Sequence, residues 1–252
     1  MSDTSPHTSP HVVRVGCSGW SYGTWRPLFY PEKTPLKKLL AAYASCLPVV
    51  EVNYTFRSTP SASTVANWLA QTPATFQFAF KAPQRVTHLL RLRNALPALT
   101  AFAQALAPVQ SVDRMGPVLF QLPPNFKRDI PRLAAFLAEA EPLNLSIAWE
   151  FRDSSWFNDE VYALLKAHRA ALCAAESDNL QSPDLALAPH LRVFRLRRSA
   201  YSHADLTQLA ERFARMARDG EDVYAFFMHE DEPTGPLRAL EVLDQIPPEL
   251  RA

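Results

Sequence analysis

The chain has 252 residues, 48% hydrophobic and 20% charged, which is enough apolar material for one large core or two small ones. Its 26 Lys and Arg residues nearly balance 25 Asp and Glu, so the molecule as a whole carries no electrostatic commitment to nucleic acid or an anionic membrane. Three widely spaced cysteines in apolar contexts, Cys17, Cys46 and Cys173, argue against a disulfide framework or a zinc site and for reduced, buried thiols in a cytoplasmic protein.

Residues 1–11 are rich in Ser, Thr, Pro and His without an apolar centre, so a disordered tail is expected ahead of one domain over 12–252. No run approaches the ~20 apolar residues of a membrane span. Val12 to Cys17 predicts a strand, ended by the loop Gly16-Cys17-Ser18-Gly19-Trp20, whose glycines permit positive φ or close backbone approach. Thr34-Pro35 reads as a helix N-cap and first position before the helical spacing of Leu36, Leu39, Leu40, Tyr43 and Leu47. Val49 to Asn53 predicts the second strand, Ala62 to Gln71 a helix, and Phe76 to Lys81 the third strand. A basic loop then leads to a helix carrying Leu96, Leu99, Phe102 and Leu106.

The second half repeats the alternation. Strands are expected at Val118 to Gln121, Ser146 to Arg152, Ala171 to Ala175, Leu191 to Leu196 and Val223 to Phe227. Helices are expected after Asp129-Pro131, at Val161 to His168, at Ala204 to Arg218 and at Pro236 to Ile246, while Glu176 to Pro189 reads as irregular. Eight such units with short connections predict a single TIM-type (β/α)8 barrel, with a doubly wound open sheet as the alternative.

Side chains on a strand alternate between faces, and parity collects the polar residues on one of them. Glu51 and Asn53 share a face of strand two, opposite Val50 and Val52; Lys81 ends strand three, opposite Phe76, Phe78 and Phe80. Gln121 ends strand four, Glu150 and Arg152 strand five, Glu176 and Asp178 strand six, Arg195 and Arg197 strand seven, and His229 follows strand eight. In a barrel these ends converge on one mouth, where active sites of the fold lie.

The stretches Gly16-Cys17-Ser18-Gly19-Trp20-Ser21-Tyr22, Glu51-Val52-Asn53, Phe78-Ala79-Phe80-Lys81-Ala82-Pro83 with Thr87-His88, Gly116-Pro117-Val118-Leu119-Phe120-Gln121-Leu122-Pro123-Pro124, and Glu150-Phe151-Arg152 with Ser155-Trp156-Phe157 resemble the YecE-like family, domain of unknown function family 72. The resemblance runs from about Val12 to the C-terminus and implies a TIM-type barrel in a soluble bacterial protein; it brings no activity or cofactor. Arg197-Arg198-Ser199-Ala200-Tyr201 lacks the glycine usual in that family, and Met228-His229-Glu230-Asp231 replaces an asparagine-rich turn.

Glu150, Glu51 and Lys81 are the candidate acids and bases, because crowding in a low-dielectric mouth should push carboxylates up and an ammonium down in pKa. Arg152, Arg195 and Arg197 are candidate anion holders, with Asn53 and Gln121 as polar contacts. Trp20, Tyr22, Trp25 and Trp156 could offer a flat wall to a sugar or base. Glu176, Asp178, His229 and Asp231 match no recognised metal-ligand spacing, so no metal is expected. The function expected is a hydrolase- or lyase-like enzyme for an anionic, possibly phosphorylated, small molecule. The alternative is a binding module whose basic rim (Arg85, Arg91, Arg93, Arg192, Arg195, Arg197 and Arg198) follows nucleic-acid phosphates.

Overall fold

The computed structural model of the protein describes residues 11–177, 181–228 and 231–252. Among them the β-branched and aromatic runs form β1 (Val13–Cys17), β2 (Val49–Val52), β3 (Gln77–Lys81), β4 (Met115–Gln121), β5 (Ile147–Glu150), β6 (Ala171–Ser177), β7 (Leu191–Arg197) and β8 (Asp222–Phe227). Each strand pairs in parallel with the next, and β8 returns to β1 to close the barrel.

Helices fill the connections: α1 (Leu39–Ala44), a single turn α2 (Tyr54–Arg57), α3 (Ala62–Gln71), α4 (Leu96–Gln110), α5 (Ile130–Ala140), α6 (Asp159–Ala167), α7 (His203–Arg218) and α8 (Thr234–Gln245). Several begin where a side chain meets an orphan backbone donor. Ser61 accepts from Thr64 N, Asp129 from Arg132 N and Asn158 from Val161 N, and Ser202 with Asp205 forms a reciprocal capping box. The Thr34-Pro35 start is displaced. Pro35 is extended and Leu36–Lys38 make a tight 3-10 turn, so α1 begins only at Leu39. No helix occurs among the described residues between β6 and β7, in keeping with the irregular reading of that segment.

The strand bounds move for physical reasons. β4 starts at Met115, ahead of the expected Val118, and contains Gly116-Pro117; the β3–β4 register shifts between Phe78 and Phe80, a bulge beside a residue without an N–H. β5 stops at Glu150, which leaves Arg152 in the turn beyond the ladder. β6 runs on to Ser177.

Parity sorts the core into two shells. Val49, Ala79, Leu119, Ala148, Ala171, Cys173, Val193, Tyr224 and Phe226 pack inside the barrel. Val50, Val52, Phe78, Phe80, Val118, Phe120, Trp149, Leu172 and Ala174 belong to the outer shell under the helices. The interior fits because the alanines of β3, β5 and β6 leave room for the two rings from β8.

β1 meets β2 so closely that a side chain is excluded at Gly16: a Cβ there would lie 2.0 Å from Val49 O. The Tyr43 hydroxyl bridges the two strands, accepting from Cys17 N at 2.7 Å and donating to Val49 O at 2.9 Å. Gly19 answers the other need, with φ of +128°. Gly16→Ala should therefore cost about 1–3 kcal/mol by forcing the strands apart. Urea unfolding measures this, and a variant as stable as the parent would contradict the β1–β2 register.

Candidate functional site at the barrel mouth

Arg195 projects from β7 to the centre of the mouth with its guanidinium fully buried. One terminal nitrogen donates to Glu150 Oε2 from β5 and the other to Glu51 Oε1 from β2, both at 2.6 Å. Those carboxylates are themselves only 2% and 1% exposed. Charges so far from water persist only when paired and hydrogen-bonded, and the rigid fork of arginine can satisfy two carboxylates at once. The network continues along the neighbouring strand ends. Gln121 Nε2 donates to Glu150 Oε1 at 2.7 Å, Lys81 Nζ donates to Gln121 Oε1 at 2.9 Å, and Arg152 Nε reaches Glu150 Oε1 at 3.2 Å. Lys81 also lies 4.4 Å from the centre of the Phe56 ring on α2.

This wiring reverses one expectation. Burial pushes the Glu150 carboxyl up, but Arg195, Arg197 and Arg152 together outweigh it and hold it down to about 2. Glu150 is therefore an ionised anchor at neutral pH, not a raised acid. Lys81 follows the expectation: burial, then the neighbouring Arg195, lowers its ammonium to about 8 against the pull of Glu51 and Glu150. Burial and the proximity of Arg195 likewise lower Arg197 to about 10. Among the described residues Arg197 makes no ion pair, and its buried Nε has no hydrogen-bond partner.

The remaining candidates separate. Asn53 donates to Ser18 O at 2.9 Å, tying the β1 loop to the end of β2. Trp20, Tyr22 and Asn53 line a cleft of about 420 Å³ beside the mouth, together with Tyr54, Thr64 and Trp68. Trp156 is not part of any wall. It is fully buried, stacks on Phe151 at 4.8 Å between centroids and gives its indole N–H to Phe126 O. Trp25 is buried as well, packed on Tyr30.

Glu176 shares the outward parity of Leu172 and Ala174 and accepts from the Tyr201 hydroxyl at 3.0 Å, away from the Arg195 cluster. Asp178 and His229 lie outside the described residues, as do residues 1–10 of the tail expected over 1–11. The basic rim is neutralised only in part: Arg192 pairs with Asp184 and Glu221 and Arg198 with Asp205, whereas Arg91 bonds to the uncharged Asn125. Arg85 and Arg93 are exposed.

Two residues near Lys81 escaped the parity argument because they stand on connections, not strands. Phe56 carries the ring under the ammonium, and His88 meets that ring edge-on at 4.9 Å. Burial, then Lys81, Arg152 and Arg91, lowers the His88 pKa. The Thr87-His88 pair within the third motif was the signal available for it.

A carboxyl whose folded-state pKa is depressed stabilises the fold above its unfolded value and loses that contribution as pH falls through the folded value. For Glu150 the step from 4.5 to about 2 corresponds to roughly 3 kcal/mol, lost between about pH 5 and pH 2. Glu150→Gln should lower stability at pH 7 by about 3–5 kcal/mol and flatten the acid limb of the stability–pH curve. An acid limb as steep as the parent's would contradict the wiring.

The family model described as "Protein of unknown function DUF72" matches residues 14–251. Over 158 residues the chain is 32% identical to the UPF0759 protein YunF of Bacillus subtilis (strain 168), covering 60% of this chain and 54% of that protein. Over 147 residues it is 29% identical to the UPF0759 protein YecE of Escherichia coli (strain K12), covering 58% and 50%. The matched stretch thus spans about half the length of these relatives. Among solved structures, a DUF72 family protein from Thermotoga maritima MSB8 superposes with a TM-score of 0.79 at 24% identity, over 93% of this chain and 98% of that one. A second, from Enterococcus faecalis V583, gives 0.78 at 20% identity, over 93% and 95%. These two identities speak to the fold alone. With the family model covering the barrel from β1 past α8, the chain belongs to the DUF72 family.

Proposed function

We propose that the mouth binds an anionic small molecule, best matched by a phosphorylated one, and turns it over in a hydrolase- or lyase-like reaction. The observation that carries this reading is the charge at the mouth. Among the described residues four cationic side chains, Lys81, Arg152, Arg195 and Arg197, share two carboxylates, Glu51 and Glu150, and both carboxylates are bound by Arg195. Among the described residues Lys81 and Arg197 have no carboxylate partner, so an anionic ligand would restore neutrality where water is scarce.

Each residue has a role in this reading. Arg197 and Arg152 grip the anionic group; Glu51 and Glu150 hold Arg195, and Arg195 in turn keeps Lys81 poised. Gln121 fixes the direction of the lysine. Lys81, with a pKa of about 8, is the group that exchanges a proton near neutral pH. The aromatic cleft of Trp20 and Tyr22, reached past Asn53, takes the flat part of the ligand. Nucleic-acid binding draws less support, since Arg192 and Arg198 already have carboxylate partners. No helix among the described residues is long and apolar enough to cross a membrane, and the three cysteines are free, which suits a reducing cytoplasm.

Inorganic phosphate should stabilise the protein against heat, by about 2.7 kcal/mol at a hundred times its dissociation constant. Arg197→Gln should lose most of that shift. No shift in the parent, or an equal shift in the variant, would contradict the anion site.

A further inference from the structure

Lys81 closes β3 on the barrel-facing side, with Nζ held by Gln121 at 2.9 Å and facing the Phe56 ring at 4.4 Å. Among the described residues it makes no ion pair: Glu51 and Glu150, whose charges favour the ammonium, are bonded instead by Arg195 and, for Glu150, also by Arg152. Glu150 is also excluded as a competitor for substrate: its oxygens are taken by Gln121, Arg152 and Arg195. A lysine desolvated beside another cation is the arrangement that frees an amine lone pair for attack on carbon. With a pKa of about 8, roughly one molecule in ten carries the neutral amine at pH 7, against about one in a few thousand for an ordinary lysine.

We propose that Lys81 is an amine nucleophile that forms a Schiff base with the carbonyl carbon of a small anionic aldehyde, ketone or 2-oxo acid held in the mouth. The inference rests on the anion-binding reading and deepens it, naming the substrate class and favouring a lyase over a hydrolase. The Nζ lone pair forms the C–N bond as the carbonyl π pair moves to oxygen. Nitrogen then loses one proton, and oxygen gains two and departs as water. Neutral amine, carbonyl compound and one proton thus give a protonated imine and water.

The surroundings suit both ends of this step. The imine keeps the positive charge that the Phe56 face already accommodates, and Arg152 and Arg197 take the anionic group. His88 lies against the same ring with its Nδ1 engaged by Thr87 Oγ1 at 2.9 Å, and burial, then Lys81, Arg152 and Arg91, lower its pKa and so favour the neutral imidazole. The cationic imine then draws electrons from the bond at the neighbouring carbon, which is what lyase chemistry requires.

The test is trapping on the full wild-type chain, so it does not depend on a variant folding. The protein is incubated at about pH 8 with pyruvate, glyoxylate or dihydroxyacetone phosphate, reduced with borohydride and mapped by peptide mass. The proposal expects at least one probe to give a single reduced adduct, concentrated on Lys81 at ten-fold or more over Lys33, Lys37, Lys38, Lys127 and Lys166, and suppressed by inorganic phosphate. Labelling spread evenly over the six lysines, or no Lys81 adduct with any of the three probes, would overturn it. Phosphate stabilisation without a Lys81 adduct would defeat the Schiff base and leave the anion site standing. A Lys81 adduct that phosphate neither suppresses nor accompanies with stabilisation would defeat the anion-site premise, and with it the proposal in this form.

Discussion

The interaction on which the mouth depends is the double ion pair of Arg195 with Glu51 and Glu150. It joins β2, β5 and β7, strands that do not neighbour one another in the sheet, through a single side chain. Removing any member would strand a buried charge, so the three stand or fall together. By consuming both carboxylates, the pair also decides what is left over. Lys81 and Arg197 remain in a partly desolvated rim with no anion of their own among the described residues, and burial, then the charge of Arg195, lowers both of their pKa values. The structural device and the functional opportunity are the same set of charges.

Below that layer the barrel is an ordinary packed interior. Alanines on β3, β5 and β6 make space for Tyr224 and Phe226, and Gly16 with Tyr43 draws β1 against β2. This packing seals the mouth from beneath and gives the charged layer a rigid, low-dielectric floor, which strengthens every electrostatic term above it.

Much of this was legible from strand parity, because alternation is a local property. Val50, Val52, Phe78, Phe80, Val118 and Phe120 do face the helices, and Glu51, Lys81, Gln121 and Glu150 do converge. Glu176 was misplaced because the parity of Ala171 and Cys173 was not carried to the end of a strand that runs on to Ser177. Trp156 departs from the expectation because an aromatic beyond a strand end has no parity to consult; the carbonyl of Phe126, thirty residues away, and the ring of Phe151 hold it inward. The direction of the Glu150 shift was beyond reach for a related reason. It depends on whether burial or three guanidinium groups weigh more, and Arg195 lies 45 positions along the chain.

Lys81 is a partly desolvated amine in a mouth where, among the described residues, cationic side chains outnumber carboxylates. An NMR titration of lysines labelled with carbon-13 at Cε follows that amine directly, with and without phosphate. Lys81 should titrate near pH 8, and its midpoint should rise when phosphate binds, since a nearby anion favours the charged form. A midpoint in the ordinary lysine range, unmoved by phosphate, would contradict this.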